Sequence, residues 1–220
     1  MNRATRIIVA VVGVMLGISG MNHGFFETLQ GSSPTSGLII RAIGDAQQMW
    51  LYGTEEAFTV IPNYLITGIL AIITSISIII WSVGFVQTKY GATVFILLFL
   101  LLFLTGGGIG QVIFFIPTWL ASTRINSPLT WWRKVLPEKI RQVLAKLWPF
   151  SLIAILICFF IALEIAIFGF VPGIDDPDTA LVICWSFLLT AWILLLFTFV
   201  NGFAYDIQKG IKGLIYKHPA

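Results

Sequence analysis

Apolar residues occur in five long, nearly uninterrupted runs that are separated by short polar segments. The runs cover approximately residues 7–26, 62–86, 92–120, 150–171 and 179–203. Crossing a hydrocarbon core about 30 Å thick takes roughly 18 to 20 apolar residues in a helix, and every run reaches that length. Because none shows period-2 alternation, helices are favoured over a closed barrel. The pattern predicts an all-α, polytopic helical membrane protein with one transmembrane domain over residues 1–220.

Two shorter segments have an amphipathic helical pattern that predicts helices lying along the membrane interface. Residues 38–52 place apolar and charged side chains on opposite sides, and residues 137–148 do the same. The second of them lies in the basic, tryptophan-containing segment 131–148. A cationic amphipathic helix with tryptophans is typical of contact with an anionic leaflet. We therefore expect the bilayer as a partner and anionic lipid at residues 131–148.

Composition supports the membrane class and removes several others. Hydrophobic residues make up 58% of the chain and charged residues only 10%, with mean hydropathy +0.95, whereas soluble domains carry about 25% charged residues. The net charge of +3 is not taken as evidence for nucleic acid, because Lys and Arg in a membrane protein report topology first. Cys158 and Cys184 both lie in apolar runs, so no disulfide framework is expected. No motif indicates a cofactor.

The distribution of basic residues constrains the topology. It places the N-terminus, residues 121–149 and the C-terminus together on the cytoplasmic side of a cell membrane. Five full crossings would put the two ends on opposite sides. The conflict disappears if residues 92–120 leave on the side where they enter, turning at Gly106, Gly107 and Gly108, since each glycine costs a helix interior about 1 kcal/mol. We predict four full spans plus a re-entrant or glycine-broken hairpin, and five full spans as the alternative.

Small residues form one narrow face of the first apolar run. Gly13, Gly17, Gly20 and Gly24 recur at helical spacing, and such a face allows another helix to approach closely. The face extends past any plausible cleavage point, which favours a retained packing helix over a signal peptide for residues 7–26. A membrane protein partner or a second copy of the chain is the expected occupant of this face.

Glu164 is the carboxylate that lies well inside a predicted span. An ionisable group at that depth costs a few kcal/mol unless it is paired or neutral. One interpretation is proton or cation handling, and the other is a protonated acid that links two helices. On either interpretation Glu164 is the first candidate for binding an ion or substrate.

His23 and Glu27 lie one helical turn apart, where the first apolar run meets a polar loop. The acid is therefore placed to orient the imidazole or to share a metal with it. The other histidine of the chain, His218, lies in the tail, and no spacing selects further ligands among Asp45, Glu55 and Glu56.

Asp175 and Asp176 are weak metal candidates in the turn between the last two apolar runs. They lack the ligand periodicity of an EF-hand loop, so a solvated acidic turn is the other interpretation.

Three functions remain open on the sequence alone. The first is a non-enzymatic membrane subunit or scaffold that packs through the glycine face. The second is a small channel or transporter for an ion or small solute that uses Glu164. The third is a membrane enzyme that uses His23 and Glu27. The sequence identifies neither the substrate, the partner, the oligomeric state nor the process served.

Overall fold

The computed structural model describes the backbone of residues 1–217 and the side chains of residues 1–211, and it is mostly helical. The helices are α1 (Arg3–Leu29), α2 (Tyr64–Gly84), α3 (Gly91–Leu104), α4 (Val112–Ser122), α5 (Thr130–Val135), α6 (Glu138–Phe168) and α7 (Pro177–Lys217). The strands are β1 (Ile39–Arg41), β2 (Glu56–Thr59) and β3 (Thr105–Gly108). The tail residue His218 lies outside the described residues.

Four helices, α1, α2, α6 and α7, are each long and apolar enough to span a membrane, while α3 and α4 are shorter apolar helices. The four contain 27, 21, 31 and 41 residues, against the roughly 20 that a hydrocarbon core requires. The predicted predominance of long apolar helices is confirmed.

Helices α1 and α2 run antiparallel and in close contact along the glycine face. Backbone hydrogen bonds from Tyr64 to Ser33 and from Leu65 to Gly31 join the start of α2 to the end of α1. At the other end, a Cβ added to Gly13 would lie 2.2 Å from Oγ of Ser82. Helices α6 and α7 form a second close pair.

The segment α3–β3–α4 is a hairpin whose two outer ends lie together. The Asn126 side chain donates a 2.7 Å hydrogen bond to the carbonyl of Gln87, just before α3. The amide of Asn2 donates to the carbonyl of Ile125, so both ends of the hairpin lie beside the start of α1. We call this the N-terminal end of the bundle, and the opposite end, which carries residues 30–63, the loop end.

A small sheet at the loop end joins the hairpin to the loop. Its strand order is β1-β2-β3, with both pairs antiparallel. Ala57 of β2 lies opposite Gly108 of β3, and Phe58 lies opposite Gly107. All four residues of β3 are buried, and its pairing with β2 supplies backbone hydrogen bonds where the helical ladder is interrupted.

Two features differ from the predicted interfacial helices. Residues 38–52 are not a helix: they form β1 and a series of turns, in which Ile40 is buried and Ile39 and Arg41 are exposed. A three-residue strand is too short to impose period-2 alternation on the sequence. Residues 137–148 are helical, but they form the first part of α6 rather than a separate helix. The chain passes through Pro149 without ending that helix.

Candidate functional site

The candidate site lies where the last turns of α1 meet the glycine strand β3 at the loop end. His23 and Glu27 face the same side of α1, as their four-residue spacing requires. Both are buried, at 5% and 0% exposure. Glu55, which directly precedes β2, completes a group of three ionisable side chains contributed by two separate regions of the chain.

His23 and Glu55 form a direct pair. Nε2 of His23 lies 3.0 Å from Oε2 of Glu55, whose side chain is 28% exposed. Among the described residues other than glycine, Glu55 alone has a positive φ, which is 44°. Such a conformation costs about 1 kcal/mol or more and is retained only when its surroundings favour it. The loop therefore holds the carboxylate towards the imidazole.

The environment of Glu55 acts on its pKa in two opposing ways. Burial raises the pKa, while the hydrogen bond and the charge of His23 lower it, and the net pKa is lower than that of an ordinary glutamate. The carboxylate is thus held in its ionised form beside the imidazole.

Glu27 differs from Glu55 because it has no partner. Neither carboxylate oxygen makes a hydrogen bond to any residue whose side chain is described, and both oxygens are inaccessible to solvent. Leaving a buried polar group unpaired costs about 1 to 3 kcal/mol, and more for a charged group. Burial of the Glu27 carboxyl group therefore has a cost that no hydrogen bond among the described residues offsets.

The glycines of β3 make room for these side chains. A Cβ added to Gly106 would lie 2.3 Å from Oε2 of Glu27, and one added to Gly108 would lie 2.5 Å from Nε2 of His23. Alternate residues of a strand face the same side, so Gly106 and Gly108 both face α1 while Gly107 faces Leu102. Gly106 also has a φ of +105°, which disfavours any side chain.

A small cavity adjoins the pair of His23 and Glu55. Its volume is about 10 Å³, which is close to the smallest space that holds one water molecule. Nδ1 of His23 is buried and without a hydrogen-bond partner among the described residues. The cavity has room for about one water molecule and none for an organic molecule at the imidazole.

Nothing described in residues 1–211 brings together three His, Cys, Asp or Glu side chains that are able to hold a metal ion. Of the predicted metal candidates, Asp175 is exposed, and Asp176 accepts a 2.9 Å hydrogen bond from the amide of Thr179 at the start of α7. The bonds from the Thr179 hydroxyl and amide lower the pKa of Asp176. Asp176 therefore has a capping role, and metal binding at this turn stays a prediction.

The other residues singled out in the sequence occupy different places. Glu164 is exposed on α6 and forms no part of the group around His23. Gly17 and Gly24 lie against side chains and backbone of α2, and Gly20 lies against α2 and Leu102 of α3. The glycine face is filled from within the chain.

Two carboxylates that matter to the structure did not stand out in the sequence. Glu55 is brought to His23 by the long-range pairing of β2, which leaves no local pattern. Asp206, in the last third of α7, accepts hydrogen bonds from the amides of Ala4 and Thr5 and from the Thr5 hydroxyl at 2.7 to 2.9 Å. The sequence feature that could have pointed to Asp206 is its position between the last apolar run and the basic tail.

Comparison of the chain with protein-family models, with curated proteins and with solved structures gives no match in any of the three.

Proposed function

We propose that the protein is a proton-coupled membrane transporter in which Glu27 binds the coupling proton. The observation that supports this most is the Glu27 carboxyl group. It is fully buried, it has no hydrogen-bond partner among residues 1–211, and it lies against the glycine strand β3. Ionisable groups within spans are expensive, and they commonly mark ion pathways and proton relays. Interrupted helices likewise form the ion sites of many transporters.

Glu55 and His23 provide the path between Glu27 and the loop end. Glu55 is partly exposed, and its carboxylate contacts His23, which lies one helical turn from Glu27. The imidazole is a suitable intermediate because one of its two nitrogens can accept a proton while the other releases one. A proton arriving from solvent passes from Glu55 to His23 and then to Glu27, and the water-sized cavity supports the first step.

This proposal includes the topology of four full spans plus a re-entrant hairpin. The contact between Gln87 and Asn126 supports a hairpin that enters and leaves on one side. Arg41 lies at the loop end, whereas Arg3, Arg6, Lys89 and Arg124 belong to the segments that meet at the N-terminal end, which favours a cytoplasmic location for that end. Residues 131–148 then lie at the cytoplasmic leaflet, where anionic lipid is their expected partner.

The scaffold and enzyme hypotheses have less support. A scaffold that binds a partner through Gly13, Gly17, Gly20 and Gly24 needs an open face, and α2 and α3 fill that face. An enzyme that uses His23 as a base needs a substrate cavity beside it, and the cavity there holds about one water molecule.

Proton exchange at Glu27 is testable in reconstituted vesicles. Protein is incorporated with a pH-sensitive dye inside, a membrane potential is imposed, and internal acidification is followed. Infrared difference spectra after a pH step report on the carboxyl group itself. We expect the wild type to acidify the interior several-fold faster than empty vesicles, and we expect Glu27→Gln to reduce the rate to background and to remove one carboxyl band.

The matched control is Glu56→Gln, which neutralises an exposed acid next to Glu55. It should leave both measurements unchanged. The proposal is wrong if Glu27→Gln retains the wild-type acidification rate and the infrared spectrum shows no exchanging carboxyl group at this position.

A further inference from the structure

A groove runs between α1 and α6, and Arg3 and Arg6 line its part near the N-terminal end. Its part near the loop end has a volume of about 930 Å³ and is covered at one end by residues 46–49. Cavities that hold drug-sized ligands measure about 300 to 1,000 Å³. This groove adjoins the candidate site and has room for an organic molecule.

Glu164 is the charged group of this groove. Its side chain is exposed into the groove, and it forms no hydrogen bond or ion pair with the described part of the chain. No Lys or Arg lines the same part of the groove. An unpaired carboxylate against a mostly apolar surface, one turn from the end of α6, favours a positively charged occupant.

Aromatic rings supply the second feature that a cation requires. Phe25, Phe26, Phe160 and Phe168 line the groove around Glu164, and the first and last are 52% and 47% exposed. Ring faces attract organic cations, most strongly where water is excluded. An inorganic cation fits less well, because it needs several oxygen ligands and the groove combines one carboxylate with three side-chain amides, those of Asn22, Gln47 and Gln48.

We propose that this groove binds a membrane-soluble organic cation, with its charge at Glu164 and its apolar groups against the phenylalanine rings. A phospholipid fits less well, because its phosphate would lie near Glu164 with no Lys or Arg in that part of the groove to balance it.

The groove is close to the proton site. Asn22, Phe26, Leu163 and Ile167 line both the groove and the water-sized cavity beside His23 and Glu55, so one layer of side chains separates the two. That the bound cation is also the transported substrate rests on the proposed function. Binding itself does not depend on that function.

Binding of tetraphenylphosphonium to the full-length protein in nanodiscs of zwitterionic lipid tests the proposal. Equilibrium dialysis, corrected with empty nanodiscs, gives the affinity. We expect one saturable site, weakened about tenfold or more by Glu164→Gln and retained by Glu56→Gln. Ala46→Trp keeps the charge but fills the groove, and it should weaken binding as well. Triphenylmethane, a neutral probe, should not compete.

Equal binding by the wild type and Glu164→Gln, or full competition by triphenylmethane, would overturn the proposal. So would saturable binding that disappears when a phospholipid with an ethanolamine headgroup is added, because the groove would then be a lipid site. Glu27→Gln separates the two proposals. It should bind the cation normally while losing proton exchange, so failure of either measurement identifies which proposal is wrong.

Discussion

A buried carboxylate is found at each end of α1, and the two carboxylates differ in the hydrogen bonds that they accept. At the N-terminal end, Asp206 of α7 accepts three hydrogen bonds from Ala4 and Thr5. At the loop end, Glu27 accepts none from the described residues. Asp206 takes the place of a side-chain cap that Asn2 does not provide, and it lies at the positive end of the helix dipole.

The difference shows that burial alone does not define a functional acid. Asp206 satisfies donors that would otherwise be orphaned at the start of a helix, so it stabilises the fold. Glu27 makes no such contribution, because a buried carboxyl group without a hydrogen-bond partner among the described residues costs free energy. A buried carboxyl group that lowers stability, and against which glycine backbone packs closely, is the better candidate for binding a proton.

Replacing each acid should produce the largest contrast. Asp206→Ala leaves two backbone amides and one hydroxyl unpaired, and we expect it to lower the free energy of unfolding by about 3 kcal/mol. Glu27→Gln should change the same quantity by less than about 1 kcal/mol. Unfolding in mixed detergent micelles, followed by far-ultraviolet circular dichroism, measures both. Equal destabilisation by the two variants would remove the distinction between the ends.

The second largest loss of stability is expected from a substitution in the glycine strand beside Glu27. Gly106→Ala adds a Cβ at a φ of +105° and 2.3 Å from the Glu27 carboxylate, so we expect a loss of about 2 kcal/mol. Gly110→Ala is the control, since nothing lies within 4 Å of a Cβ there. Adding Glu27→Ala to Gly106→Ala should recover the part that comes from the clash. No recovery would mean that backbone strain accounts for the whole loss.

The smallest effect concerns the pH dependence of stability at Glu55. Its folded-state pKa is lowered, so it stabilises the fold above its unfolded pKa, and this contribution is lost as the pH falls through the folded value. Because the side chain is partly exposed, we expect a few tenths of a kcal/mol up to about 1 kcal/mol. Unfolding curves across the acidic range should lose this component in Glu55→Gln and keep it in Glu56→Gln. An unchanged profile in Glu55→Gln would show that the His23 pair does not stabilise the fold.

Local sequence patterns placed some residues of the candidate site, but they predicted neither the strands of the loop end nor the pairing of those strands. The four-residue spacing of His23 and Glu27 was enough to place them on one face of a helix. Three glycines in an apolar run were enough to predict an interruption near Gly106. Neither pattern contains the antiparallel pairing of β2 with β3, which brings Glu55 into the group. Pairing between distant segments leaves no periodic trace in either of them.

The depth of Glu164 and its environment show a similar limit. Its position in an apolar run predicted a place inside a span, and α6 includes it. The packing of α6 on α7 determines what lies opposite Glu164. It leaves this side chain exposed towards a groove beside α1. The sequence predicted that the glycine face packs closely against another helix. It did not identify α2 of the same chain as that helix.

The pairing of β3 with β2 also has a consequence for the order of events during synthesis. Residues 105–108 leave the ribosome after residues 56–59, so the edge of β2 exists before the glycine strand that needs it. A glycine segment entering an apolar environment without that edge would expose unpaired amides and carbonyls. We therefore expect the loop between α1 and α2 to serve as a template for the later hairpin. A chain in which α3 and α4 were moved ahead of α1 would lack that template during insertion.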